Sequence, residues 1–321
     1  MRPLVSNSRI SSLKAERHTA ASRPLQFRKI TPSTIPILNS ILQRYNLSRT
    51  CDYTIGGILM WVDYFHYSYD IVDDTLFLKG VSEDDNSSIA FAVPVGAMPL
   101  NKAIGLLKEY CELDHIPLRL SAVPEELVTP LEALGFIRQS TLSDWGDYLY
   151  DIEALATLAG KKLNKKRNHV NRFKSDNPEW VLTLLTADLL PEVRDFYVRQ
   201  HLAEGKPESA EYERRQVMKV LDHYGSYPFT GAVLSTPTEG IVAFAIGETI
   251  GDTLYVHIEK MNHLIPGAGE MICQQFAAMM LAQSPSLRYE NREEDAGDPG
   301  LRAAKLSLHP LKQLTKYDLL F

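Results

Sequence analysis

The stretch YENREEDAGDPGLRAAK gathers Asn291, Arg292, Glu293, Glu294 and Asp295 at the end of a β-rich run, with Arg302 and Lys305 on one face of the helix that follows. Glu259 and Lys260 close the neighbouring predicted strand, so the two groups are expected to face one cleft. Acids and cations fixed at a strand end, beside a helix start, are rigid enough to position a substrate. The alternative is a solvated loop whose internal ion pairs add little to stability.

A second group is the basic segment GKKLNKKRNHVNRFK, Gly160 to Lys174, with seven Lys and Arg and no acid in a chain of net charge −6. Subtracting those seven from 34 leaves 27 against 40 acids, so the rest of the chain carries −13. Basicity this local suits one anionic group or one anionic face rather than general affinity for nucleic acid. On a helical projection Leu163, Val170 and Phe173 share one side with Ala159, while Lys161, Lys165, Asn168 and Arg172 lie opposite, as on any solvated helix. Lys166 points into the apolar stripe and Arg167 lies on its edge. A half-buried cation needs an anion. Either an acidic side chain from the other domain or a substrate phosphate would serve.

A third group is PGAGE, Pro266 to Glu270, between a strand and a helix. Gly267 and Gly269 permit close backbone approach, and the free amides of a helix start attract anions. A tight connection alone also explains them.

The elements that must hold these residues repeat in order along the chain. In the first half, TPSTIPILNSILQRY reads as a helix capped by Thr31 or Ser33, and GGILMWVDYF, DDTLFLKGV and SSIAFAVPV read as strands. PLNKAIGLLKEYCELDH is then a helix, PLRLSAVP a strand and EELVTPLEALGF a helix ending at Gly135. The second half repeats the order after the strand DYLYDIEAL, with the basic segment as its first helix and Asn177–Pro178 as that helix's stop. WVLTLLT is a strand and PEVRDFYVRQHLA and SAEYERRQVMKVLDHY are helices; FTGAVLS, GIVAFAIGE and DTLYVHIEK then form an antiparallel meander. EMICQQFAAMMLA is a helix, LRYEN a strand, and a short helix opens with Asp298 as N-cap and Pro299 in its first turn. KQLTKYDL closes the chain. The pattern implies α/β domains with mixed sheets: a mobile basic tail over 1–24, one domain over 25–150 and a second, carrying the site, over 151–321.

Composition agrees with an ordered globular chain, at 45% hydrophobic and 23% charged residues. The 321 residues suit two domains of about 150 each. Three cysteines, Cys51, Cys111 and Cys273, lie far apart and favour a reducing, cytoplasmic setting over a disulfide framework. The longest apolar runs are about half the roughly 20 residues that cross a bilayer. The Ser- and Arg-rich N-terminus lacks the apolar core of a secretory signal but fits a transit peptide as an alternative. No H-x-x-x-H or H-E-x-x-H spacing occurs among the nine histidines, so no metal site is expected. G-x-S-x-G and phosphate-binding-loop motifs are missing too.

Taken together, KKLNKKRNHVNRF, HIEKM followed by GAGEMICQQF, and YENREEDAGDPGLRAAKLSLHP resemble the phosphatidylglycerol lysyltransferase C-terminal-like domain family. LEALGF is similar to the end of an acetyltransferase-type domain. The resemblance is strongest from about Tyr148 to Leu314, and it implies two tandem acetyltransferase-like (GNAT) folds.

Chemically, the resemblance implies transfer of an activated acyl group, aminoacyl from a charged tRNA or another, to a lipid, amine or peptide. Such a donor needs neither a metal nor a covalent enzyme intermediate, only positioning and charge stabilisation. Glu259 or Glu294 would accept the nucleophile's proton. Arg292, Arg302 and Lys305 would hold a phosphate or an oxyanion, with Lys166, Arg167, Asn168, Lys260 and Asn291 as further binding groups. Gly267 and Gly269 lie where acetyltransferases receive the pyrophosphate of coenzyme A, although the Gln or Arg that commonly opens that turn is Leu264 here. Tyr255 and Tyr289 would donate to a leaving group or serve as packing. Expected partners are charged tRNA or acyl-CoA as donor and anionic lipid met from the surface. An acyl-CoA-dependent N-acyltransferase and a non-catalytic module for an anionic ligand remain as alternatives.

Overall fold

The computed structural model describes residues 23–45, 47–204 and 208–321. The expected tail lies outside the described residues up to residue 22. Arg23 already belongs to the fold, its guanidinium donating to the two Asp70 oxygens at 2.5 and 2.7 Å.

The first sheet contains β1 (Arg28–Lys29), β2 (Ser68–Val72), β3 (Thr75–Val81), β4 (Ile89–Phe91), β5 (Val95–Gly96), β6 (Arg119–Pro124) and β7 (Ile137–Thr141). The second contains β8 (Asp147–Asp151), β9 (Val181–Leu184), β10 (Thr230–Thr236), β11 (Gly240–Ile250), β12 (Thr253–Met261), β13 (Tyr289–Asn291) and β14 (Lys312–Leu314). The last strand, β15 (Lys316–Leu320), returns to the first sheet, between β6 and β7. The expected division at residue 150 is therefore crossed twice: β8 already belongs to the second sheet, and the chain's end belongs to the first. A single closing strand was expected over KQLTKYDL. Two form, one in each sheet, with Thr315 between them.

Both sheets are mixed. β4 runs parallel to β6, β12 runs parallel to β13, and the other pairings are antiparallel. The meander β10–β11–β12 forms as its alternating pattern predicts. Between Ile246 and Gly247 its register slips, so that His257 is the extra residue on β12. A bulge of this kind re-aims a side chain.

The helices are α1 (Ile35–Tyr45), α2 (Ile55–Trp61), α3 (Leu100–Asp114), α4 (Glu125–Glu132), α5 (Ile152–Thr157), α6 (Asn164–Asp176), α7 (Leu190–Glu204), α8 (Glu208–Asp222), α9 (Ala268–Gln283) and α10 (Pro299–Leu306). Two differ in kind from expectation: IEAL, read as the end of the strand DYLYDIEAL, opens α5, and GGILMWVDYF, read as a strand, forms α2. Thr54 accepts from the Gly57 amide and caps the helix start. Its glycines fit because a Cβ on Gly56 would meet the His257 ring at 2.1 Å and one on Gly57 would meet the Cys51 carbonyl at 2.0 Å. α2 thus docks the first half against the second sheet.

One core lies on the first sheet and reaches Ile250 and Tyr255 of the second. Another packs α5, α6 and α9 on one face of the second sheet, and a third packs α7 and α8 on the other.

Candidate active site

The polar cluster after β13 forms, but most of its members face one another. Asn291 is fully buried: its amide donates to the Arg49 carbonyl and to Asp147, each at 2.7 Å, and its oxygen accepts from the Glu293 amide. Arg292 is held between Glu259 and Glu290, each 2.7 Å away, and also contacts the Cys273 sulfur. Lys305 was expected to bind phosphate; instead it is buried and donates to the carbonyls of Arg292, at 2.5 Å, and Glu294. Arg302 pairs with Asp295 and Asp144 at 2.7 and 2.8 Å. That pairing, then Tyr148's hydrogen bond, hold the Asp295 carboxyl down to about 2. These contacts hold the shape of the loop.

Glu294 differs. Its carboxyl is buried at the seam between the two sheets, where Cys51 and Asp52 from the loop before α2, Asp147 from β8 and Lys316 from β15 converge. Burial, then the charge of Glu293, pushes it up to about 7 against the pull of Lys316 and Lys305. The Lys316 ammonium lies 2.8 Å from Asp52 and 2.9 Å from Asp147. Burial works against that charge, yet Asp147 and Asp52 hold the amine protonated well above its ordinary value. Cys51, Asp52 and Asp147 also form a group compact enough for a metal ion. Lys316 already supplies a cation there. Glu83 adds a further buried carboxyl, raised first by burial and then by Asp52.

An aromatic wall adjoins this seam. Tyr67 lies within electrostatic reach of Glu83, Asp52, Lys316 and Cys51, and its ring meets Phe65 at 5.7 Å. Phe65 and Trp61 meet Trp145, and Trp61 stacks on Tyr212 at 6.1 Å. Next to them the bulged His257 bridges Glu248 at 2.9 Å and Glu293 at 2.7 Å. Burial would lower its pKa, but the two carboxylates outweigh that and raise it to about 10. A fixed imidazolium therefore holds the residue before Glu294.

The basic helix α6 takes the expected buried face with Leu163, Val170 and Phe173, while Ala159 is exposed. Lys166 does meet an anion, Glu270 at 3.2 Å, which also takes His169 at 3.1 Å. That acid comes from α9 of the same domain, not from the other domain. Arg167 is spent on backbone, donating to the carbonyls of Leu158 at 2.5 Å and Gly160 at 3.3 Å, where α5 ends. Asn168 is exposed. Lys260 pairs with Glu213. A Cβ on Gly267 would meet the His169 carbonyl at 2.4 Å, and its φ is +80°. Gly269 sits in the first turn of α9, against Met261. The expected anion site at this helix start is thus closed by α6 and filled by Glu270.

Tyr255 and Tyr289 are framework. The Tyr255 hydroxyl donates to the Ser48 carbonyl at 3.4 Å, and Tyr289 lies under the Arg49 guanidinium. Cys51, Asp52, Glu83, Asp147, His257 and Lys316 went unread in the sequence. A lysine inside the apolar strand KYDLL and an aspartate opening DYLYD were the available signs, since buried charges come paired.

The family model for the C-terminal region of phosphatidylglycerol lysyltransferase matches residues 44–320. A crystal structure of a conserved protein of unknown function from Bacteroides thetaiotaomicron VPI-5482 is 30% identical, with a TM-score of 0.84 over 92% of this chain and 99% of that one. The C-terminal domain of a putative lysylphosphatidylglycerol synthetase from Agrobacterium fabrum is 15% identical, with a TM-score of 0.63 over 90% and 92%. L-PGS from Bacillus licheniformis is 13% identical, with a TM-score of 0.62 over 88% and 90%. At these lower identities the likeness is one of fold, the mixed-sheet, acetyltransferase-like α/β architecture expected from the motifs. No curated protein matches the sequence significantly.

Proposed function

Since the chain belongs to the phosphatidylglycerol lysyltransferase C-terminal family, we propose that it is an acyltransferase that moves an aminoacyl group from charged tRNA to the amine or hydroxyl of a lipid or peptide. The observation that carries this reading is Glu294, a carboxyl at the seam of the two sheets with a pKa of about 7. A base poised near the working pH combines a useful deprotonated fraction with real proton affinity. The acceptor's lone pair attacks the ester carbonyl and its proton passes to Glu294. The bond to the ribose oxygen then breaks, and Glu294 gives that proton to the leaving oxygen, which restores the carboxylate.

Glu259 is less suited to this role because Arg292 occupies it at 2.7 Å. The closed start of α9 favours tRNA over acyl-CoA as donor: the turn that would receive a pyrophosphate holds Glu270, with its negative charge and its own cations. The rings of Trp61, Trp145 and Tyr212 offer a stacking wall of the kind that suits a terminal nucleobase.

The test is transfer of labelled amino acid from a mixture of aminoacyl-tRNAs to lipid and peptide acceptors, comparing the native protein with Glu294→Gln. Transfer by the native protein and its loss in the variant are expected. Full transfer by Glu294→Gln removes Glu294 as base, and transfer from acyl-CoA but not from tRNA replaces the donor.

A further inference from the structure

Away from the seam, a hollow of about 300 Å³ is lined by Lys162, Lys165, Lys166 and His169 on one side and Ser307 and His309 on the other. A second hollow of about 390 Å³ adjoins it, shares Lys162 and His309, and extends to Leu311. The His309 ring contacts the Lys162 carbonyl at 3.2 Å, which ties the two walls together.

The charge here runs against local stability. Lys165 and Lys166 stand in the first turn of α6, preceded by Lys161 and Lys162, with no acid in that turn; Glu270 of α9 pairs with Lys166, and the last turn carries Lys174 beside Asp176. The partial charge of a helix favours acids at its start and bases at its end. Lys161, Lys162 and Lys165 pair with no acid among the described residues, an arrangement at a helix start that makes sense when an external anion completes the site, and local rules are most often broken where function requires it.

The rim is apolar. Leu306 and Leu311, 51% and 57% exposed, flank Ser307 and His309, and Leu264, at 87%, is the most exposed large apolar side chain described. Leu264 stands three residues before Gly267, whose backbone abuts His169. Isolated exposed leucines are ordinary. Here Leu311 lines the adjoining hollow and Leu306 directly precedes Ser307 in the wall of the cationic one.

We propose that this face docks on the interface of an anionic lipid bilayer, with lipid phosphates in the hollow and Leu264, Leu306 and Leu311 entering the acyl boundary. Cations beside protruding aliphatic groups match an interface that offers phosphate at its surface and hydrocarbon beneath. An RNA backbone would use the cations but has nothing for the leucines. With the remainder of the chain at −13, an anionic membrane repels the other faces and selects this one. No described helix is long and apolar enough to cross a membrane; surface docking requires none. The proposal does not depend on which acyl group is transferred.

The experiment is flotation of the full chain with vesicles of phosphatidylglycerol and phosphatidylcholine, or of phosphatidylcholine alone, alongside a gel shift with total tRNA. The native protein is expected to float only with anionic vesicles. Lys162→Glu/Lys165→Glu should weaken this at least about tenfold, and Leu306→Ser/Leu311→Ser should weaken it several-fold even at low salt. Lys165→Gln, a milder change, should give an intermediate loss if the double charge reversal unfolds. Absence of anionic-vesicle binding overturns the proposal, as does unchanged binding by the leucine variant. Loss of tRNA binding with vesicle binding intact assigns the face to nucleic acid instead. Transfer to a detergent-dispersed acceptor, measured in parallel, separates failure of docking from failure of the chemistry.

Discussion

Lys316 Nζ lies 2.9 Å from Asp147 Oδ1, joining an interior strand of the first sheet to an interior strand of the second. Asp147 also accepts from the Cys51 amide and from Asn291, at 2.6 and 2.7 Å. Removing the ammonium strands two buried carboxylates. Lys316→Met is expected to lose ~3–5 kcal/mol in urea unfolding, and adding Asp147→Asn should recover part of it through the coupling between the two residues. A loss below about 1 kcal/mol would mean that water reaches the pair.

Glu294 should set the pH dependence of transfer. As a base it acts ionised, so kcat is expected to rise through about pH 7 and then level. Glu294→Gln should lower kcat by ~10²–10⁴-fold. Stability moves the other way. A carboxyl raised in the folded state contributes stability below its unfolded pKa, and that contribution is lost as pH climbs to about 7. The variant should therefore be less sensitive to pH between the ordinary carboxylate range and 7, as thermal unfolding at several pH values would register.

His257 carries the opposite titration type with the same sign. Its folded pKa is about 10, against about 6.5 unfolded. Its contribution is complete below the unfolded value and is lost as pH rises through about 10. The imidazole resonances should accordingly remain those of the protonated ring at pH 8. His257→Asn should flatten the decline of stability between pH 7 and 10, and an unchanged decline would place its cause elsewhere.

Gly267 tests whether the PGAG turn is a packing device. Gly267→Ala brings a Cβ to 2.4 Å from the His169 carbonyl at φ +80°, a strain of about 1–3 kcal/mol. Lower melting temperature is expected, with no change in thermal stabilisation by coenzyme A. Selective loss of stabilisation by coenzyme A would restore the turn to the cofactor-binding role its position suggests.

How far the sequence could be read depended on the range of the forces involved. Short-range signals carried through: Asp298 caps α10 by accepting from the Leu301 amide at 2.6 Å, α6 stops before Asn177–Pro178, and the three strands of the meander pair in order. GGILMWVDYF failed because its apolar pattern reflects burial on two sides, while the Thr54 cap and the contact with His257 decide its form. For the site, type and place were legible for Glu294 and Lys166. The partners were not. Lys316 and Asp147 are 169 positions apart in the chain, and the crossing of β15 into the first sheet, which no local pattern announces, brings them together.

Arg167 shows how one basic segment divides its work. On a helical projection it lies on the edge of the apolar stripe beside Lys166, and both would be expected to bind an anion. In the fold its guanidinium donates to the Leu158 carbonyl at 2.5 Å and to Asn164 at 2.8 Å. Leu158 is the left-handed residue that ends α5, so Arg167 satisfies a carbonyl left open at a helix terminus. Hydrogen bonds to a charged group are each worth about 1.5–3 kcal/mol. Arg167→Ala should lose stability on that order while binding anionic vesicles as the native protein does. Lys165→Ala should do the reverse, weakening vesicle binding with little change in unfolding. If both variants lose binding equally at unchanged stability, Arg167 belongs to the anion surface and the end of α5 needs no cap.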